Sequence, residues 1–372
     1  MSAPSLRQSL QKIIASRGPI SVASYMQQSL VHPTEGYYVT RDPLGAKGDF
    51  TTSPEISQMF GELIGINLIT QWLAHGQPAN IRLVELGPGR GTLMADLLRA
   101  SRAFGAFHKS IKHVDLVEAS PALQNKQKEA LSGLTSNLNW LAGVPEIPKD
   151  GVPTFVVAHE FFDALPIHQY RKRADDWIER LVDFDPASDS FRFTWAQRPD
   201  KMVSTALQSQ PRFRALPTDS EIEVCYDAME IARQLSAIIK HNQGGALIVD
   251  YGPMATIPVN TFRGFKEHHQ VEPLAVAPGE ADLTADVDFR ALQDIFGQQL
   301  HCSGPVKQAD WLHRMGIGAR ATVLANSQPT QEGKDRVASS YNRLVDANHM
   351  GKTYKFLGVS SLPAPIEGFQ AL

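Results

Sequence analysis

Residues 81–86 read IRLVEL, and the chain then passes through Gly87-Pro88-Gly89-Arg90-Gly91 into the helical pattern TLMADLLRA. A buried strand, a glycine-dense turn and a helix in that order constrain the fold more than any other stretch. Strand followed by helix is the first half of a βαβ unit, and βαβ units build parallel sheets. Glycine at alternate positions lets the backbone approach a ligand closely. Dinucleotides, nucleoside triphosphates and S-adenosylmethionine are all held by turns of this kind, so the ligand has to be read from the residues around the glycines.

The alternation continues downstream. HVDLVEAS (113–120) is a second strand, followed by a helix from Pro121 to about Leu131, and NLNWLAG (137–143) and TFVVAHE (154–160) are the next two strands. Residues 165–225 then change texture: HQYRKRADDWIERLVDFD and FRFTWAQ alternate polar and apolar side chains with aspartate-rich turns, which predicts antiparallel strands. RKR (171–173) reads as a solvated strand face. The βαβ pattern resumes with a helix over 226–241 and the strand GGALIVDYG (244–252). The strand-like QLHCSGPV (299–306), two or three helices and YKFLGVSS (354–361) complete seven core strands, with the first 80 residues outside them.

The glycines have the wrong register for a dinucleotide. Counted from Gly87, the third glycine of GxGxxG would fall on Thr92, and the pattern present is an acid followed by GxGxG. No Gly-Lys-Ser/Thr follows, so a Walker-type phosphate loop is excluded. A carboxylate at the strand end, Glu85, suits a cofactor bearing an ammonium and a sulfonium and suits a pyrophosphate badly. Glu118 ends the second strand, where an acid can accept both ribose hydroxyls, although it lies beyond the ~20-residue spacing of dinucleotide folds. Glu85, Gly87, Pro88, Gly89, Gly91 and Glu118 together favour S-adenosylmethionine.

Bulk properties narrow the class. The 372 residues include 42% hydrophobic and 20% charged side chains, with a formal net charge of -3, so no global field argues for nucleic acid. No apolar run reaches the ~18 residues of a spanning helix. Cys225 and Cys302 form no CxxC pair, and His268-His269 lack a third ligand at a sensible spacing, so neither a disulfide framework nor a metal site is read. Residues 1–34 contain Arg7, Lys12 and Arg17 and no acid, as transit peptides do, yet Leu6, Leu10, Ile13 and Ile14 share a helical face. A docked helix ending at Gly18-Pro19 is the reading taken.

From Leu6 to Ser361 the chain resembles the MidA-type family of S-adenosylmethionine-dependent methyltransferases, a family that includes a mitochondrial complex I assembly factor acting as a protein arginine methyltransferase. The resemblance rests on GPISVASYM (18–26), HPTEGYYVTRDPLGAKGDFTTSPEISQMFGE (32–62), ELGPGRGT (85–92), HEFFDALPIHQ (159–169), VDYG (249–252) and DLTADVDF (282–289). GDFTTSPEIS is the most diagnostic of these.

The resemblance implies an α/β fold with a seven-stranded Rossmann-like class I methyltransferase sheet. It predicts an N-terminal helical extension (1–80), core segments (81–164 and 226–306), an antiparallel insertion (165–225), a helical insertion (307–350) and a last strand with tail (351–372). It implies S-adenosyl-L-methionine as cofactor and a protein substrate with a target arginine, most simply a complex I subunit. HEFFD and TFRGF (261–265) look like the mitochondrial branch, which points to the matrix, with a bacterial cytoplasm as the alternative.

Arginine is a difficult nucleophile because its charge is permanent and delocalised. Paired carboxylates can clamp the guanidinium and leave one nitrogen facing the methyl group. The loop after the fourth strand offers Glu160 and Asp163 for that role, with Phe161 and Phe162 as walls. His159 and His168 read as hydrogen-bonding residues. Asp49, Thr51, Thr52 and Ser53 are expected to fold over the cofactor, with Ser53 also capping a helix that has Pro54 in its first turn. The acids of DLTADVDF cap a helix and can face the substrate. Two other functions compete: a non-catalytic assembly chaperone that keeps the fold, and a nicotinamide oxidoreductase, which the glycine register and Glu85 disfavour.

Overall fold

The structure, a computed structural model, describes residues 4–40 and 52–370. Its centre is a seven-stranded sheet whose strands, numbered here in chain order, are β1 (Ile81–Leu86), β2 (Ile111–Val117), β3 (Leu138–Leu141), β4 (Thr154–His159), β5 (Gly244–Tyr251), β6 (His301–Lys307) and β7 (Tyr354–Ser360). The spatial order is β6-β7-β5-β4-β1-β2-β3. Strands β1 to β5 run parallel to their neighbours among one another, and β7 runs antiparallel to β5 on one side and to β6 on the other. All of β1, β4, β5 and β7 are buried along their whole length, as expected for strands covered on both faces. The chain leaves β1 toward β2 and β3 and then returns to place β4 on the other side of β1. Ligands of open α/β sheets bind at that reversal, beyond the carboxyl ends of the strands.

The N-terminal helix Leu6–Arg17 starts in a capping box between Ser5 and Gln8 and stops at Gly18, whose φ is 85°. Leu6, Leu10 and Ile14 are buried, while Ile13 sits on the rim of that stripe and is 38% exposed. The larger departure from expectation is helix Gln58–Ala74. Expected outside the core, it supplies Phe60, Leu63, Ile64, Leu68, Ile69 and Trp72 to the main hydrophobic cluster. It reaches that depth through glycine: a Cβ at Gly61 would meet the Cβ of Asp96 at 2.6 Å, so helix Thr92–Ser101 packs directly on its backbone.

The excursion after β4 is antiparallel, as predicted. Strands Asp176–Asp185, His168–Arg173, Ser190–Trp195 and Glu221–Val224 form one sheet, which the N-terminal Ile20–Ser21 extends by pairing with Val182 and Leu181. The solvated reading of residues 171–173 fails at Lys172, which is buried and donates from Nζ to the carbonyls of Arg214 (2.7 Å) and Leu216 (2.8 Å). A three-stranded sheet of Arg263–Lys266, His269–Val271 and Asp282–Thr284 has no periodic signature in the sequence. Between β6 and β7 lie four helices where two or three were expected, the last the single turn Met350–Thr353. Among the described residues no helix is long and apolar enough to cross a membrane.

Candidate active site

A cleft of about 770 Å³ opens at the carboxyl ends of β1, β2 and β4, at the reversal of strand order. Its first half is the glycine turn. Gly87, Gly89 and Gly91 all take positive φ, at 60°, 54° and 82°, which only glycine adopts without strain. A Cβ at Gly87 would lie 3.0 Å from the ring of Phe161, and one at Gly91 3.3 Å from Gln127 Cα. Glu85 is buried near the N–H of Met94, and its Oε2 has no partner among the described residues. Burial pushes its carboxyl up to about 8. Glu118 accepts from Ser120 N–H (2.8 Å) and from the Gln127 amide (3.1 Å). Gln127 also donates to the Gly89 carbonyl (2.8 Å) and receives the Trp140 indole N–H (2.8 Å). One buried amide thus braces the glycine turn against the end of β2.

The second half is acidic. Glu160 follows β4 with φ 48°, a left-handed conformation that is uncommon outside glycine and that clusters at functional sites. Its N–H still bonds the Val249 carbonyl (2.9 Å), so the strained residue is anchored to β5. Burial, reinforced by Asp163, pushes its carboxyl up to about 8, with the nearby Tyr354 hydroxyl and Ser53 N–H acting in the opposite direction. Asp163 accepts from Tyr251 and, at 2.9 Å, from Thr284. Asp250 lies underneath and accepts the N–H groups of Phe162 (3.0 Å), Asp163 (3.3 Å) and Tyr251 (2.9 Å), which locks the loop in place. Burial raises both aspartates as well. Asp282 takes the Tyr38 hydroxyl (2.8 Å) at the cleft wall. Glu160 Oε1 and Asp163 Oδ1 are buried and have no hydrogen-bond partner among the described residues. His159 Nε2 stands 3.5 Å from Glu160 Oε1, and burial drops this imidazole to about 3, so it is neutral.

Most of the residues singled out in the sequence converge here. Glu85, Gly87, Pro88, Gly89, Glu118, Thr52, Glu160 and Asp163 line the one cleft, and Gly91 closes its turn. Asp49 and Thr51 lie outside the described residues. Ser53 differs from its expected place. Thr52 occupies the N-cap position of helix Ser53–Ile56, and Ser53 is its first residue, fully buried, with its hydroxyl against Met350 Sδ at 3.7 Å. Proline at the second helical position sets that frame one residue earlier than the hydroxyl pattern suggested. In DLTADVDF, Asp288 caps helix Phe289–Phe296, Asp286 pairs with Arg263, and Asp282 and Thr284 reach the cleft side. His168 pairs with Glu179, outside the cleft. The sequence reading missed Glu55, Gln127, Asp250, Tyr251 and Tyr354. VDYG was visible as a motif, but nothing local shows that its Asp and Tyr point at residues 160–163.

The cleft fits S-adenosylmethionine on its own geometry. The orphaned Glu85 oxygen suits a cationic donor, such as an ammonium group. Glu118 keeps acceptor capacity for ribose hydroxyls, and Ala142, Gly143, Val144 and Pro145 present an apolar wall suited to a purine. The comparisons agree. Residues 63–306 match the family described as S-adenosyl-L-methionine-dependent methyltransferase. The chain belongs to this methyltransferase family. Relatives of the methyltransferase include the zebrafish (Danio rerio) protein arginine methyltransferase NDUFAF7, mitochondrial, 41% identical and aligned over 96% of this chain and 88% of its own. The human protein of the same name is 40% identical, over 96% and 83%. A crystal structure of a superfamily member from Burkholderia thailandensis, bound to S-adenosyl-homocysteine, superposes with a TM-score of 0.82 at 26% identity, over 99% of this chain and 97% of that one. The methyltransferase uses S-adenosylmethionine.

Burial of Glu85 has a measurable consequence. Its folded-state pKa, about 8, lies above the ordinary carboxylate value, so the folded protein holds a proton that the unfolded chain has already lost. Stability of the cofactor-free methyltransferase therefore falls as pH rises from about 4.5 to 8. Glu85→Gln removes that loss: by thermal unfolding it is expected to match the parent at pH 5 and exceed it by about 1–3 kcal/mol at pH 8. The same variant is expected to bind S-adenosylmethionine at least about tenfold more weakly, because a cationic group of the cofactor would lose a charged partner. Equal stability at both pH values would show that Glu85 is solvated.

Proposed function

We propose that the methyltransferase is a protein arginine N-methyltransferase acting in the mitochondrial matrix, with a respiratory complex I subunit as its substrate. The reading is carried by the two orphaned carboxylate oxygens, Glu160 Oε1 and Asp163 Oδ1, buried beside the cofactor half of one cleft. An unpartnered buried carboxylate is costly and is relieved by a cation. A guanidinium has five N–H donors in a planar fork, enough to serve two carboxylates and still present one nitrogen. The mitochondrial arginine methyltransferases named above support the substrate class and the organelle. The resemblance to a complex I assembly factor directs the choice of subunit. A chaperone role would leave these acids without a function.

When bound, the cofactor supplies an electrophilic methyl group on a sulfonium. The chain's own contribution is positioning, the main source of rate in an in-line displacement. Asp250 fixes the loop, Tyr251 and Thr284 orient Asp163, and the left-handed backbone of Glu160, anchored to the Val249 carbonyl, sets the position of its carboxylate. Phe161 walls the junction between the two halves, its ring against Gly87. Methylation costs the guanidinium one proton, and Glu160, held at high proton affinity by burial, is placed to receive it. The test offers the enzyme labelled methyl donor with otherwise identical arginine and lysine peptides drawn from complex I subunits. Label is expected on arginine; label on lysine alone would overturn the assignment. Mass spectrometry of mitochondrial proteins with and without the chain identifies the subunit.

A further inference from the structure

The antiparallel sheet that follows β4 presents two faces, because side chains alternate along each strand. One face, with Tyr170, Trp177, Ile222 and Val224, is buried against helices Lys201–Ser209 and Pro211–Arg214. The other carries Arg171 opposite Glu221, and Arg180 opposite Trp195. With Phe193 and Asn260 these side chains line an open recess of about 460 Å³. Each arginine lies over an aromatic ring: Arg171 Cζ is 4.1 Å from the Trp195 centroid, and Arg180 Cζ is 3.9 Å from that of Phe193. Stacking of this kind holds a guanidinium flat and leaves its edge N–H groups for a partner. Arg171 has one, the Glu221 carboxylate, 2.9 Å from Nε. Arg180 forms no ion pair among the described residues, and its guanidinium donates to the Gln169 amide oxygen at 3.3 Å. It is partly buried all the same, and that burial lowers its pKa, as for a cation short of counter-charge. Two guanidiniums against one carboxylate leave the recess with one net positive charge.

We propose that this recess docks a carboxylate side chain of the substrate protein, with Arg180 as its partner. The proposal rests on the reading of the cleft as the site of a peptidyl arginine. One net charge matches a monoanion, whereas the adjoining Glu221 works against the nearly double charge of a phosphate. The recess is joined to the acidic half of the cleft by direct contacts. Gln169 donates to Glu223 (2.6 Å), Glu223 accepts from the Thr261 N–H (2.9 Å), and Thr261 Oγ1 accepts from the Asp286 N–H (2.8 Å). Asp286 pairs with Arg263 (2.9 Å), whose guanidinium lies 5.1 Å from the Tyr251 ring centroid, and Tyr251 donates to Asp163. The two sites are opposite in sign. The cleft draws a basic side chain, and the recess selects a segment that carries an acid at a set spacing from it.

The test uses the full chain and unstructured peptides with one arginine and a single glutamate placed at successive distances on either side. Flanks of about 15 residues extend about 50 Å, against a radius of gyration of about 21 Å for a 372-residue fold, so the recess is within reach. Affinity is read by calorimetry with S-adenosyl-homocysteine bound, and KM and kcat with labelled S-adenosylmethionine. At one spacing, the glutamate peptide is expected to bind about 3- to 10-fold tighter than its glutamine counterpart, with KM lowered alike and kcat unchanged. Arg180→Gln should erase that difference. Arg180→Glu should reverse it, now favouring lysine at the same place. The gain should shrink as salt is raised. No preference at any spacing, or one that survives Arg180→Gln, would overturn the docking site. Loss of the preference in excess inorganic phosphate but not in acetate would make the recess a phosphate site and overturn the carboxylate. A glutamate preference in binding with no label on arginine would instead overturn the arginine reading alone, so the two failures are distinguishable.

Discussion

Glu160→Gln is expected to lower methyl transfer to an arginine peptide by about 30- to 1000-fold, the cost of about 2–4 kcal/mol for losing a charged contact made best in the transition state. Glutamine keeps the size and the acceptor oxygen but carries no charge and takes no proton from the guanidinium. Cofactor affinity should change little, because the side chain faces the acidic half of the cleft. The pH profile gives a second signature. In the free enzyme burial holds Glu160 at about 8, so it is mostly protonated at pH 7 and must ionise to bind a cation. kcat/KM, which reports the free enzyme, should rise with pH through about 8 and flatten in the variant. kcat should rise earlier, because a bound guanidinium favours the carboxylate. Steady-state kinetics from pH 6 to 9 with both forms decides it. Near-normal transfer by the variant would remove Glu160 from the mechanism, and lost cofactor binding would make it a cofactor or structural residue.

Gly89→Val is expected to abolish cofactor binding while the fold survives. Gly89 has φ 54°, and its carbonyl is held by Gln127 at 2.8 Å, so the turn cannot rotate to relieve a new side chain without breaking that brace. A left-handed conformation costs an ordinary residue about 1–2 kcal/mol, and a β-branched one more. The isopropyl group would also stand on the cleft wall, in space the cofactor needs. Together these should weaken binding by at least about 100-fold, while unfolding shifts by only about 1–3 kcal/mol because the turn lies at the edge of the core. Calorimetry with S-adenosylmethionine, alongside thermal unfolding of the ligand-free forms, separates the two effects. Retained binding would mean that the cofactor does not approach the turn at Gly89.

Local pattern alone was enough for the seven core strands, the glycine turn, the acid-GxGxG register and the antiparallel insertion. Each depends on period, apolar runs and backbone freedom, properties that neighbours in sequence already express. It was also enough to single out Glu85 and Glu118, because strand ends in an alternating α/β pattern point to one edge of the sheet. Glu160 and Asp163 stand out only with the arginine substrate that the resemblance implies. The packing of helix Gln58–Ala74 into the core was not legible, since an apolar helix with Gly61 and Gly65 does not name the surface it meets. Nor were Asp250, Tyr251, Thr284 and Tyr354, which reach Asp163 and Glu160 from β5, β7 and the small sheet. Their partners are far away in the chain, and hydrogen bonds between distant segments leave no periodic trace. The same holds for the charge state of the site. Sequence supplies carboxylates of ordinary acidity; only burial of several together, with oxygens left unpaired, makes Glu85 and Glu160 hold protons near neutral pH and gives the cleft its demand for cations.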